Sequence, residues 1–196
     1  MNEVKNNRNE DEGMADTLEI KLLSDNATKP KRAYDSAGYD IYAAETVILE
    51  PQEKALIATD LAVNIPKGYV GLLTSRSGVS SKTHLVVETG KIDAGFQGHM
   101  NINVKNDEQR LDWKDVLNNN ELEKGYEPLL YDIKGEKVEN DNPFGIGNGR
   151  KYLINKGDRL AQLVIVPIWT PELKTVKEFS NETARGQKGF GSSGTR

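Results

Sequence analysis

Three observations predict an all-β barrel or sandwich. Apolar residues fall in short, often alternating runs rather than at helical spacing. Gly, Pro, Asn and Asp, the residues that build turns, separate those runs. The 196 residues are enough for one domain with a buried core, and no internal repeat divides them.

Residues 1–16 are rich in Asn, Glu and Asp and almost without apolar side chains, so they cannot offset the entropy of ordering and read as a flexible extension. Met14 reads as a candidate alternative start. Residues 17–180 read as the β domain. Its clearest strand candidates are Leu18–Leu23, Thr46–Leu49, Leu61–Ile65, Tyr69–Thr74, Met100–Lys105 and Leu160–Ile168. Pro51, Pro66-Lys67-Gly68 and Asn155-Lys156-Gly157-Asp158 read as turns, because proline presets the first turn dihedral and glycine permits positive φ. One short helix is expected after Ser75, beginning at Ser77-Gly78-Val79-Ser80-Ser81.

Between about 106 and 152 the texture becomes more acidic and less alternating, with a possible helix placing Leu111, Val116 and Leu117 on one face. Connections of that length are uncommon and often functional. The segment reads as an insertion, either a surface elaboration or a partner-binding element. Residues 181–196 form a glycine-rich arm whose composition, Arg185-Gly186-Gln187-Lys188-Gly189-Phe190-Gly191-Ser192-Ser193-Gly194, favours flexibility.

Composition narrows the chemistry. The absence of cysteine excludes disulfides, thiolate metal sites and a cysteine nucleophile, and only His84 and His99 are available as imidazoles. A net charge of −4 gives no footprint for general nucleic-acid binding, so phosphate recognition should be local. No apolar run approaches the roughly 20 residues that cross a bilayer, and a soluble, cytoplasmic protein is expected.

Five segments carry possible chemistry. Glu88-Thr89-Gly90-Lys91-Ile92-Asp93-Ala94-Gly95-Phe96-Gln97-Gly98 holds one carboxylate among glycines, which suits either a hairpin turn or a catalytic base open to ligand. Thr74-Ser75-Arg76-Ser77-Gly78 offers a guanidinium and hydroxyls for phosphate, or makes an ordinary polar loop. Asp40, within Ala37-Gly38-Tyr39-Asp40-Ile41-Tyr42, could hold a metal-bound water, orient an arginine or build a turn. Gln162 is the polar exception in Gly157-Asp158-Arg159-Leu160-Ala161-Gln162-Leu163-Val164, where a buried amide needs backbone or a ligand phosphate as partner. In the arm, Arg185 and Lys188 could neutralise phosphate, and Phe190 could stack on a base.

Together and in this order, the five segments resemble the five motifs of the trimeric dUTPase family. The resemblance runs from Leu18 to Gly194 outside the 106–152 segment. It implies a jelly roll, a homotrimer with active sites shared between subunits, and hydrolysis of dUTP to dUMP and pyrophosphate with Mg²⁺. By that resemblance Asp93 is the base activating water, while Gly90, Ile92 and Phe96 read the uracil and deoxyribose. Arg76, Ser77, Gly78 and Gln162 grip the triphosphate. Arg185, Phe190, Gly191 and Ser192 close over it, and Asp40 acts on Mg²⁺ through water.

Three positions depart from the motifs: Phe96 stands where tyrosine is usual, Ser75 where proline precedes the arginine, and Lys188 where the tail has glycine. The 106–152 insertion resembles the extra segment of dUTPases from phages of Gram-positive bacteria, which implies a second role in binding the repressor of a mobile element. The alternatives are a dCTP deaminase-related enzyme, which the segment around Asp93 disfavours, and a mainly regulatory protein-binding role.

Overall fold

The computed structural model describes residues 17–110, 130–139, 149–184 and 186–187, and these residues are nearly all strand and loop. The elements are β1 (Glu19–Leu22), β2 (Tyr39–Tyr42), β3 (Val47–Leu49), β4 (Lys54–Asn64), β5 (Tyr69–Ser75), α1 (Ser77–Ser80), β6 (Leu85–Val87), β7 (Gly90–Ile92), β8 (Met100–Asn106), β9 (Leu130–Asp132), β10 (Lys151–Ile154) and β11 (Arg159–Pro167). They form three open sheets, ordered β1-β4-β8-β6, β2-β11-β5-β7 and β3-β10-β9, in a jelly-roll-like arrangement rather than one closed barrel.

Alternation explains the central strands. In β8, Met100, Ile102, Val104 and Asn106 point inward and their neighbours outward, the period-2 pattern of a strand with one face on a core. The inward faces of all three sheets meet in one cluster: Ile57, Leu61, Met100 and Ile102 from the first, Ile41, Leu73, Leu160 and Leu163 from the second, Leu49, Tyr152 and Ile154 from the third. Fully burying each such aliphatic side chain contributes roughly 1.5–3 kcal/mol.

The predicted run Leu61–Ile65 is only the second half of β4. A register shift between Ala58 and Leu61 marks a bulge, where buried Thr59 donates its hydroxyl to the Met100 carbonyl and Asp60 takes a φ of 53°. Strands β2, β6, β7, β9 and β10 go beyond the strand candidates. The expected helix appears as α1, entered from Arg76 without a side-chain cap. The predicted helix around Leu111–Leu117 and the 1–16 extension lie outside the described residues.

The inserted stretch is stitched into the domain. Its β9 runs parallel to β10, which pairs antiparallel with β3, so residues 151–152 belong to a strand of the main body. Where the chain leaves β8, the buried Asn106 amide donates to the carbonyls of Leu49 at 3.1 Å and Arg150 at 2.8 Å, closing both feet of the segment. Glu108 lies 3.0 Å from His84 Nε2. In the β9 turn, Gly135 sits so close to the Lys82 carbonyl that an added Cβ would fall 2.5 Å from it, which brings the inserted stretch against the loop after α1.

Candidate active site

Sheet register brings four of the singled-out segments' polar residues together. Gln162 in β11 lies opposite Asp40 on one side and Thr74 on the other, so the three stand abreast across β2, β11 and β5. Arg76 follows one residue after β5. Asp40 is 6% exposed, and burying a carboxylate is costly unless charge and hydrogen bonds compensate. Compensation comes from Arg76 Nε at 2.8 Å, Gln162 Nε2 at 3.3 Å and Arg159 Nη1 at 3.4 Å. The partner of the Gln162 amide within the chain is therefore Asp40, neither of the two candidates that its strand position suggested.

Arg76 is held from two directions. Besides the Asp40 bond through Nε, its Nη1 donates to the Arg159 carbonyl at 2.9 Å, and its Nη2 has no partner among the described residues. Two points fix the plane of the guanidinium, which leaves its other edge for an anion. Ser77 and Gly78 are exposed beside it at the start of α1. Arg159 was not among the sequence-derived site residues, because a charged residue opening a strand reads as a solvated end. It pairs with Tyr42, two residues along β2 from Asp40, across a register shift that no sequence pattern announces. Its neighbour Asp158 has a carboxyl raised above the usual value by burial, while an Asn155 backbone bond opposes the rise.

Asp93 sits elsewhere. Strand β7 pairs with β5 so that Ile92 faces Gly71 and Gly90 faces Leu73, and Asp93 follows at the exposed end of the hairpin. The Phe96 N–H donates to the Asp93 carbonyl at 3.1 Å, closing a turn in which Gly95 has a φ of 86°, a conformation that glycine adopts without steric cost. Extending the register puts Asp93 opposite Val70, whereas Arg76 lies beyond the other end of β5. Six residues of extended chain span roughly 20 Å at about 3.3 Å each. A single chain thus brings Asp40, Arg76 and Gln162 together and keeps Asp93 apart from them.

Arg185, Lys188, Phe190, Gly191 and Ser192 lie outside the described residues. Both histidines are engaged locally. His84 faces Glu108, and His99 Nε2 accepts the Asp60 N–H at 2.9 Å and lies 3.3 Å from its carboxylate.

Comparison with known proteins gives a concordant result. A family model described as dUTPase matches residues 25–111 and 147–194, leaving 112–146 unmatched within the 106–152 stretch. Deoxyuridine 5′-triphosphate nucleotidohydrolase from Mycolicibacterium gilvum (strain PYR-GCK) is 32% identical, covering 92% of this chain and 97% of that protein. The mitochondrial enzyme of Homo sapiens is 30% identical, with this chain spanning 54% of its length. Among solved structures, a Staphylococcus bacteriophage 80alpha dUTPase mutant with dUpNHpp superposes with a TM-score of 0.80 at 57% identity, over 91% of this chain and 99% of that one. A mutant dUTPase from phage phi11 of S. aureus, described with a structural Mg(II) ion, gives a TM-score of 0.73 at 57% identity, over 84% of this chain and 99% of that one. With a family model covering most of its length and relatives aligned nearly end to end, the chain belongs to the dUTPase family of nucleotide hydrolases.

Proposed function

We propose that this protein hydrolyses dUTP to dUMP and pyrophosphate in a homotrimer whose sites are shared between subunits. The observation that carries the proposal is the pre-aimed guanidinium of Arg76, fixed by Asp40 and the Arg159 carbonyl, together with an exposed carboxylate at Asp93 roughly 20 Å away along the strand. A triphosphate is far shorter than that separation. One nucleotide can meet both groups only if Asp93 and Arg76 come from different copies. A second copy also answers the exposure of the segment following β11, where Trp169, Leu173 and Phe179 are 88%, 98% and 89% exposed, an apolar load that marks an interaction surface.

In this reading Asp93 takes a proton from a water as the water's oxygen bonds to the α-phosphorus. The bond from that phosphorus to the α–β bridging oxygen breaks, and pyrophosphate leaves. Arg76, Ser77, Gly78 and Gln162 hold the phosphates, and catalysis rests on alignment and charge stabilisation. Gly90 and Ile92 present backbone groups to uracil, and Phe96 packs beneath the deoxyribose. Arg185, Phe190, Gly191 and Ser192 belong to the arm, residues 181–196, that closes over the nucleotide.

The donor set suits Mg²⁺ only in one form. Both oxygens of Asp40 already accept bonds from cations or an amide, which disfavours direct ligation, but Mg²⁺ retains its waters and binds through substrate phosphates. Asp40 would then meet the ion through water. Bound with the nucleotide, the ion would neutralise phosphate charge and fix the triphosphate's conformation.

The decisive experiment compares pyrophosphate release from dUTP, UTP, dTTP and dCTP by the protein and by Asp93→Asn. The dUTP reaction is expected to dominate. The variant should bind dUpNHpp normally while losing roughly 10²–10⁴-fold in kcat. Near-normal turnover by the variant would reject Asp93 as the base, and deamination of dCTP would favour the related enzyme.

A second role rests on the inserted stretch. Both its feet are bonded to the main body, and the related 80alpha dUTPases are described as controlling transfer of virulence genes by a proto-oncogenic G protein-like mechanism. We infer that this stretch presents a surface to a mobile-element repressor in a bacterial cytoplasm.

A further inference from the structure

The hairpin contains two glycines that are required for different reasons. Gly95 has a φ of 86° and nothing within 4 Å of a Cβ built on it, so only its backbone conformation calls for glycine. Gly98 is the reverse. Its φ lies outside the left-handed region, so any residue could adopt its backbone. Yet a Cβ there would fall 2.7 Å from Phe96 Cζ and 2.9 Å from Phe96 Cε2, with the same ring's Cε1 third at 3.6 Å. Real Cβ atoms do not approach that closely. The missing side chain of Gly98 is the seat on which the Phe96 ring lies.

The side chains flanking Gly98 are bonded to β4. On one side, Gln97 Nε2 donates to Asn64 Oδ1 at 3.0 Å, and Asn64 Nδ2 donates to Glu19 Oε2 at 2.7 Å. On the other, His99 Nε2 accepts the Asp60 N–H at 2.9 Å at the β4 bulge. Both anchors run to β4. A side chain at residue 98 therefore displaces the ring, which is 46% exposed and free to swing outward, rather than the chain. Phe96 also lacks a phenolic hydroxyl that could tether it elsewhere, so van der Waals contact with its seat sets its tilt.

We propose that Gly98 is a specificity-determining position, a positioning residue that sets the Phe96 ring and through it the discrimination of deoxyribonucleotide from ribonucleotide. The inference rests on the reading of Phe96 as the surface beneath the sugar. A ring whose tip rests against Gly98 leaves no space for a 2′-hydroxyl, whereas a ring swung away by a methyl group opens that space and loosens contact with the deoxyribose.

The test measures kcat/KM for dUTP and UTP in the full-length protein and in Gly98→Ala, Phe96→Ala and the double variant, with thermal unfolding of each. Gly98→Ala should lower the dUTP:UTP ratio at least tenfold, with the loss shared between a higher KM for dUTP and a gain on UTP. The double variant should match Phe96→Ala alone, because the methyl acts only through the ring. If Gly98→Ala lowers Tm, the double variant should recover it, since removing the ring removes the clash. An unchanged ratio in Gly98→Ala beside a collapsed ratio in Phe96→Ala overturns the Gly98 assignment, as does strict additivity or a double variant as unstable as Gly98→Ala. An unchanged ratio in Phe96→Ala instead overturns the underlying reading of the sugar site.

Discussion

Replacing Asp40 by asparagine separates charge from shape at the centre of the Arg76, Arg159 and Gln162 cluster. The carboxylate is 6% exposed and accepts from two guanidiniums and one amide. Hydrogen bonds to charged groups contribute about 1.5–3 kcal/mol each, and removing one partner of a fully buried pair costs roughly 3–5 kcal/mol. Arg76 is 21% exposed at its side chain, so its pair falls below that buried range, at about 2 kcal/mol. The Arg159 pair, 53% exposed on the arginine and 3.4 Å long, adds about 0.2–1 kcal/mol. Asparagine keeps one acceptor but turns an amide donor toward a cation. A net loss of about 2–3 kcal/mol follows, which would lower kcat/KM for dUTP roughly 30- to 150-fold if it falls on nucleotide positioning. The assay is pyrophosphate release across a matrix of dUTP and MgCl₂ concentrations. The defect should persist at saturating Mg²⁺, because the misaimed group is Arg76. Wild-type kcat/KM in Asp40→Asn, or full rescue by Mg²⁺, would refute the view that the carboxylate works by holding the guanidinium.

Two further outcomes are expected. Truncation after Gly186 should leave the unfolding transition within about 2 °C of the intact protein, because the core cluster of the described residues is built from Ile41 to Leu163, while lowering kcat for dUTP at least tenfold; pyrophosphatase-coupled phosphate-sensor assays and calorimetry check this. Replacing residues 112–146 by a short linker should keep dUTP turnover within about tenfold, since the Asn106 clasp and the Asp40 cluster remain. The same deletion should abolish capture of the repressor in a titration.

Much of the fold was legible wherever strands were long enough for alternation to repeat. Strands β5, β8 and β11 each have at least seven residues, and the predicted runs fall on them. Strands β6, β7 and β9 have three residues each, too few for a period to declare itself. The first half of β4 was hidden for another reason: Ile57, Thr59, Leu61 and Val63 keep one inward alternation through the bulge, but polar Thr59 and Asp60 interrupt the apolar run there. Motif order identified Asp40, Arg76 and Gln162 as companions. It could not give Arg159, whose contact with Asp40 depends on the β2–β11 register. Nor could it give the distance from Asp93 to Arg76, which is fixed by how β7 lies along β5. The clash of Gly98 with the Phe96 ring is tertiary in the same sense: sequence places the two residues two apart, and only the path of the turn stacks one on the other.

If sites are shared as proposed, the gap between Asp93 and Arg76 makes catalytic competence a property that no one polypeptide owns. On the proposed sharing of sites, a chain carrying a defective Asp93 and another carrying a defective Arg76 are each inert alone but complement when co-assembled. Random mixing in equal amounts returns about one intact site in four. Dilution acts in the opposite direction, because a dissociated chain still carries every residue of the site but loses the reaction. The concentration of the protein then becomes an input to its activity, independent of the amount of nucleotide present.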